Sequence, residues 1–349
     1  MNVRQGIANV LLVCASTGVA LLILEIGLRV HHGELLDFSS ELPEVPDRLR
    51  LPRAAYDSLL GWVPAVGAHG RAGQESVTAA HLRSNGPEPA ATDLRVLTVG
   101  DSFTFGDEVE DTATWPAQLG RQVGARVFNA GVFAYGIDQA VLRATVLFDT
   151  YRPDWVVLAF IRNDVNRAEL SYYSAWKPYY TVEDGDLVLR NVPVPRTGPP
   201  TPRFDGLRKA FGYSLLASAI SRRLLDRWWY YGSIVRVHDD GVEIAVRLVG
   251  RLDRMMEARG ARLLVVGLAA GGRIGGNDGM TSILDRMADE GVPVLNLVPG
   301  TEDMIAEGAA DLYMPGGHYA PDLNRWVARQ VGDYVISASA DAAAAARLP

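Results

Sequence analysis

The chain has 349 residues, 48% of them hydrophobic, enough to bury one large core and a small appendage. A formal net charge of −7, with no basic stripe carrying interleaved aromatics, excludes a nucleic-acid partner and is too mild to name an acidic or basic one. Cys14 is the single cysteine, which rules out an intrachain disulfide framework.

Gly6 to Leu24 carries no charged residue, and the apolar run resumes past Glu25 to Leu28. At helical rise the uncharged stretch alone measures roughly 28 Å, close to the hydrocarbon thickness of a bilayer. No small-residue cleavage pattern closes the run, and Val13 stands before Cys14 where a lipoprotein signal wants a small residue. The expectation is one uncleaved transmembrane anchor in residues 1–30, touching lipid through residues 6–28. Arg4 on one side and Arg29 on the other barely orient it.

Residues 31–93 read as a linker, polar and marked by Pro43, Pro46 and Pro52, followed by an irregular β lead-in with scattered glycines. From residue 94 the pattern alternates. Leu94–Val99 is a strand, and Thr114–Val123 a helix with Thr114 as N-cap and Pro116 in its first turn. Arg126–Asn129 is a strand, Ile137–Thr150 a helix, and Asp154–Phe160 an apolar strand of the kind buried on both faces. Residues 168–240 interrupt this as an insertion capping the site. It holds a hairpin around Glu183-Asp184-Gly185-Asp186, a proline-rich loop and a helical stretch over Leu207–Tyr231. Helix Gly241–Arg259, strand Arg262–Gly267, helix Thr281–Glu290, strand Val292–Leu297 and a helix from Pro321 to Ile336 complete a domain over residues 94–337, with residues 338–349 as a flexible tail. Such alternation gives a parallel sheet with helices on both faces.

In such a sheet function gathers at the carboxyl ends of the strands. Those ends carry Gly100-Asp101-Ser102, Asn129-Ala130-Gly131 and Arg162-Asn163-Asp164, and a late loop carries His318. A serine hydroxyl becomes a nucleophile only with a base beside it and donors aimed at the oxyanion. Ser102 fits the nucleophile and His318 the base. The N–H groups of Ser102 and Gly131, with the Asn163 amide, fit an oxyanion hole. Asp101 and Asp164 more readily fix local turns than touch substrate. The other five histidines read as solvent-facing. His238-Asp239-Asp240 lacks the spaced ligands of a zinc site, and the loop Gly271–Gly276 lacks a nucleotide-binding pattern, so neither a metal nor an organic cofactor is expected.

Gly100-Asp101-Ser102-Phe103-Thr104, Asn129-Ala130-Gly131 with Tyr135-Gly136, Asn163-Asp164 and His318 together resemble the four blocks of the SGNH (GDSL-type) hydrolases. The resemblance covers about residues 94–164 and 241–337. It implies a flavodoxin-like three-layer α/β/α fold, ester chemistry without a cofactor, and, with the anchor, the membrane-tethered bacterial members that act on cell-surface polysaccharides outside the cytoplasm. One departure matters. The family's orienting aspartate precedes the histidine by two or three residues, where this chain has Gly316 and Pro315. That leaves a Ser-His dyad oriented by a backbone carbonyl, a carboxylate recruited from elsewhere, or weakened activity. Asp311 and Asp322 lie near in sequence but off the family spacing.

Three functions stay open at this point. One is an esterase or deacylase acting on an O-acylated surface glycan. The second is an O-acyltransferase fed by a membrane acyl-donor protein. The third is a non-catalytic glycan-binding or assembly protein. The aromatics of the insertion, from Tyr172 to Tyr231, fit sugar stacking, core packing or a membrane boundary equally.

Overall fold

The computed structural model describes residues 3–42, 53–67, 75–87, 92–198, 201–231, 234–271 and 274–345. Much of the expected linker, from residue 43 to 52, and the last four residues of the expected tail lie outside them. Residues 1–49 with 198–235 form one compact unit, and 50–197 with 236–349 the other.

The first unit opens with helix α1 (Val3–His32), whose apolar side chains are almost all exposed. Its length and composition suffice to cross a membrane. Three helices share this unit with α1: α6 (Asp205–Gly212), α7 (Leu215–Leu224) and α8 (Asp226–Trp229). They replace the continuous helical stretch expected over Leu207–Tyr231. Gly212 and Ser214 explain the first break, since Ser214 caps α7 by accepting the Ala217 N–H at 3.1 Å.

The second unit begins with a hairpin, β1 (Ala54–Asp57) and β2 (Gly61–Pro64). The sheet follows: β3 (Arg95–Gly100), β4 (Arg126–Asn129) and β5 (Trp155–Phe160). Two short strands, β6 (Leu170–Tyr173) and β7 (Ala175–Trp176), pair antiparallel, and so do β8 (Tyr179–Glu183) and β9 (Asp186–Arg190) around the expected turn. The strand β10 (Ile234–Arg236) precedes β11 (Arg262–Gly267) and β12 (Val294–Asn296).

The central sheet has the order β12-β11-β5-β3-β4, with every neighbouring pair parallel. Counted along the chain this is the 2-1-3-4-5 order of flavodoxin-like folds, whose topological switch lies between the first and third strands. The expected α/β/α class therefore holds. Side chains of β5 alternate strictly: Val156, Leu158 and Phe160 join one core, while Trp155, Val157 and Ala159 join the other. The first core is closed by α4 (Ile137–Tyr151), α9 (Gly241–Ala258) and α10 (Met280–Asp289). The second is closed by α3 (Trp115–Val123) and α12 (Pro321–Ala345).

Most bounds fall within a residue or two of the sequence reading, and the larger departures lie toward the C-terminus. The last strand stops at Asn296 and a helix, α11 (Val298–Ala306), follows it. Pro299 stands in its first turn, where proline is suited because its missing N–H has no partner there anyway. Helix α12 also runs past Ile336 to Ala345, into the segment expected to be a flexible tail. The lead-in segment, expected as irregular β structure, is bonded to the sheet domain: Trp62 donates to Phe133 O at 3.1 Å, and the Tyr135 hydroxyl donates to Trp62 O at 2.5 Å. A third apolar cluster, with Leu60, Trp62, Phe105, Phe133 and Tyr135, is built around those bonds.

Candidate active site

Strand β3 ends at Gly100, where an added Cβ would sit 2.2 Å from Ala159 O and 2.4 Å from Thr104 Oγ1. Only glycine fits between β5 and the returning chain, which turns at once into the short helix α2 (Ser102–Phe105). Asp101 caps α2 by accepting the Phe103 N–H at 2.9 Å. Ser102 thus stands at the first helical position, just beyond the strand end. Its own N–H has no intrahelical acceptor there.

The Ser102 hydroxyl lies 2.9 Å from His318 Nε2. The imidazole comes from the loop before α12 and packs against Phe103 with ring centroids 5.1 Å apart. Its other nitrogen, Nδ1, lies 2.7 Å from a carboxylate oxygen of Glu108. Glu108 also accepts the His318 N–H at 3.2 Å and the Gly316 N–H at 2.8 Å. One carboxylate therefore holds both the imidazole and the loop that carries it. Gly316 stands there because a Cβ would fall 2.3 Å from Glu108 Oε1.

Burial opposes the charge of Glu108, but the bonds from the His318 ring, the His318 N–H and the Gly316 N–H outweigh it and hold the carboxyl below the ordinary glutamate range. An ionised Glu108 favours the tautomer with hydrogen on Nδ1, leaving Nε2 free to accept the serine proton.

Glu108 is itself clamped from the lead-in segment. Its N–H donates to Glu75 Oε1 at 3.1 Å, and Glu75 pairs with Arg53 at 2.5 Å and Arg83 at 3.8 Å. Arg53 also pairs with Asp107 at 3.1 Å. Arg83 donates to Val109 O at 2.8 Å and meets Asp111 at 3.2 Å. Glu108 has φ +72°, a left-handed conformation unfavourable for a side chain this long, and these bonds fix the turn that requires it.

Of the expected supporting acids, Asp101 and Asp164 lie behind the serine on a shared guanidinium. Arg167 Nη1 meets Asp164 at 2.5 Å and Asp101 at 3.4 Å, and donates to Tyr135 O at 3.0 Å. Burial pushes both carboxyls up, aided at Asp164 by the charge of Asp101, while Arg167 pulls them back. Asp164, in the short helix α5 (Arg162–Arg167), also accepts the Ile161 N–H at 3.0 Å, so this pair fixes the ends of two strands. Asp311 is exposed and makes no contact with the imidazole among the described residues. Glu108 was missed in the sequence because its partner lies 210 residues away. The available signal was the missing aspartate before His318, which directs a search to the acids leaving the same sheet edge.

Two of the expected oxyanion donors, Gly131 and Asn163, have partners of their own in the structure. The Gly131 N–H donates to Asn129 Oδ1 at 3.1 Å, because an asparagine side chain readily bonds the backbone two residues on. Asn163 Nδ2 donates to Ile274 O at 2.5 Å, in the glycine-rich loop, which leaves one amide hydrogen uncommitted. Gly131 also serves packing, since its Cβ would strike Phe105 N at 2.3 Å. Among the described residues no cluster of three or more His, Cys, Asp or Glu is arranged to hold a metal.

No protein-family model and no curated protein matches the chain. Solved structures of similar fold include many lipolytic hydrolases of the G-D-S-L type. An acetyl xylan esterase, AlAXEase, is 14% identical with a TM-score of 0.42, covering 69% of this chain and 100% of that one. A lipase/acylhydrolase from Enterococcus faecalis is 13% identical at TM-score 0.41, covering 69% and 95%. A member of the lipolytic G-D-S-L family from Veillonella parvula DSM 2008 is 10% identical at 0.37, covering 68% and 95%.

Proposed function

We propose that this protein is a serine-dependent ester hydrolase with Ser102 as nucleophile, His318 as base and Glu108 as the orienting acid. The observation that carries the reading is the unbroken relay from Ser102 Oγ to His318 Nε2 at 2.9 Å and from His318 Nδ1 to Glu108 at 2.7 Å. Nucleophile, base and orienter are each within hydrogen-bond reach, the arrangement an activated serine requires.

Ser102 Oγ attacks the acyl carbonyl carbon as its proton passes to His318 Nε2. The Ser102 N–H and the uncommitted hydrogen of Asn163 Nδ2 serve the oxyanion; the Gly131 N–H joins only after releasing Asn129 Oδ1. His318 then gives its proton to the departing alkoxide. Water, deprotonated by the same nitrogen, releases the acid and restores the hydroxyl. Glu108 stays ionised throughout and stabilises the imidazolium.

An O-acylated glycan outside the cytoplasm is the substrate class this reading takes, supported by the four-block resemblance and by α1 as a membrane tether. The test is labelling of the full chain in detergent with a fluorophosphonate probe, followed by peptide mapping. The reading requires adduct on Ser102 and none on Ser102→Ala. Folded protein inert to the probe and to activated esters would remove it.

A further inference from the structure

We propose that α6, α7 and α8 form a membrane-surface module, seated in the headgroup region of an anionic bilayer beside the exit of α1. The inference rests on the reading of α1 as membrane-spanning but not on the ester chemistry.

The first observation is where α7 is tied to α1. Glu25 accepts the Ser214 hydroxyl at 2.8 Å, the Leu215 N–H at 3.0 Å and the Leu216 N–H at 2.9 Å. An anion at a helix N-terminus satisfies donors that the helix cannot. Arg29, one turn on, pairs with Glu25 at 2.8 Å and donates to Tyr213 O at 2.8 Å. Helix α7 therefore starts level with Glu25 and Arg29.

The second observation is the level itself. The uncharged stretch from Gly6 to Leu24 fills roughly 28 Å, about one hydrocarbon core, so Glu25 is the first charge beyond it. A carboxylate at the bilayer centre is costly, which fixes this end of α1 at the interface. The start of α7 is at the interface with it.

The third is the surface these helices present. Leu224 is 71% exposed and Phe204 77%, while Leu207, Tyr213, Ile220 and Leu225 are all at least 46% exposed. Residues 201–231 carry six basic against two acidic side chains, a net of +4 in a chain of net −7. Exposed Arg222 and Arg223 precede exposed Leu224, with Arg222 also pairing with Glu41. Apolar side chains interleaved with cations describe a helix lying in an anionic interface. The pattern continues on the chain leaving α1, where Leu36 is 86% exposed and Phe38 is 63% exposed. Water alone would leave these side chains uncovered. The embedded end of α1 supplies a bilayer to cover them.

The test uses the full chain with Cys14→Ser, reconstituted into phosphatidylcholine vesicles with or without phosphatidylglycerol. Single cysteines at Leu224→Cys and Leu12→Cys carry an environment-sensitive fluorophore, and nitroxide lipids of graded depth act as quenchers. The proposal expects the residue-224 label to be blue-shifted and quenched by shallow nitroxides, more strongly with phosphatidylglycerol. Arg222→Glu with Arg223→Glu removes that enhancement. A quenched residue-12 label beside a water-exposed residue-224 label overturns the proposal while the anchor stands. Two unquenched labels overturn the anchor and the proposal together.

Discussion

Glu108→Gln tests the orienting role, because it keeps the shape while removing the charge and turning one acceptor oxygen into a donor. The wild-type carboxylate accepts three N–H groups, from the His318 ring, His318 N and Gly316 N. Glutamine brings one carbonyl oxygen and an NH2, so one donor position must face another donor. If the carbonyl takes the Oε1 place and keeps the Gly316 N–H, the NH2 faces both the His318 N–H and Nδ1–H, Nδ1–H loses its acceptor and the tautomer with hydrogen on Nε2 becomes competitive. That tautomer cannot take the serine proton. The same carboxylate-to-amide change costs serine proteases about 10⁴ in turnover, or roughly 5.5 kcal/mol of barrier. We expect kcat on an activated ester to fall by about 10³–10⁴, with KM little changed and probe labelling of Ser102 slowed in parallel. There is a stability signature as well. Glu108 titrates below the ordinary glutamate range in the folded chain, so it contributes stability above that range, lost as pH falls through the lowered value. Glu108→Gln flattens that part of the acid-unfolding curve. A folded Glu108→Gln protein retaining turnover within tenfold of wild type would refute the assignment.

Gly316→Ala probes the same carboxylate from the other side. The new methyl would sit 2.3 Å from Glu108 Oε1, and the far end of a side chain moves more cheaply than backbone. Glu108 should swing off Nδ1, lowering kcat at least about tenfold with a melting temperature close to wild type, read by ester turnover and thermal unfolding. Lys177 Nζ, fully buried, lies 2.5 Å from Asp138 and donates to Arg167 O and Leu170 O at 3.2 Å each. Lys177→Met strands the buried carboxylate and should cost about 3–5 kcal/mol in denaturant unfolding, whereas adding Asp138→Leu recovers much of it. A single variant within about 1 kcal/mol of wild type would show that Asp138 is not held as an ion.

What was legible in the sequence follows the range of the forces involved. The strand β4 and the strand β11 fall at the residues read from their apolar runs, and Thr114 caps α3 by accepting the Ala117 N–H at 3.2 Å, because these features depend on neighbours a few residues away. The breaks among α6, α7 and α8 are only partly legible: Gly212 and Ser214 mark the first locally. What ends α6 and starts α7 includes Glu25 on another helix, and no local pattern contains it. Glu108 is the sharper case. In sequence it sits in Gly106-Asp107-Glu108-Val109, an acidic turn like many others. Its partners are 208 and 210 residues downstream, and the turn that aims it is secured by Glu75, 33 residues upstream. Here the carboxylate beside the imidazole stands on the nucleophile's own segment, while the histidine loop has Pro315 and Gly316 at the spacing where the resembled family places an aspartate. Such an arrangement gives the geometry an imidazole needs, an anion on one nitrogen and a hydroxyl on the other, without the spacing by which sequence reading finds it. A triad is defined by where its atoms meet, so an absent aspartate at one spacing argues for a search along the strand ends before it argues for lost chemistry.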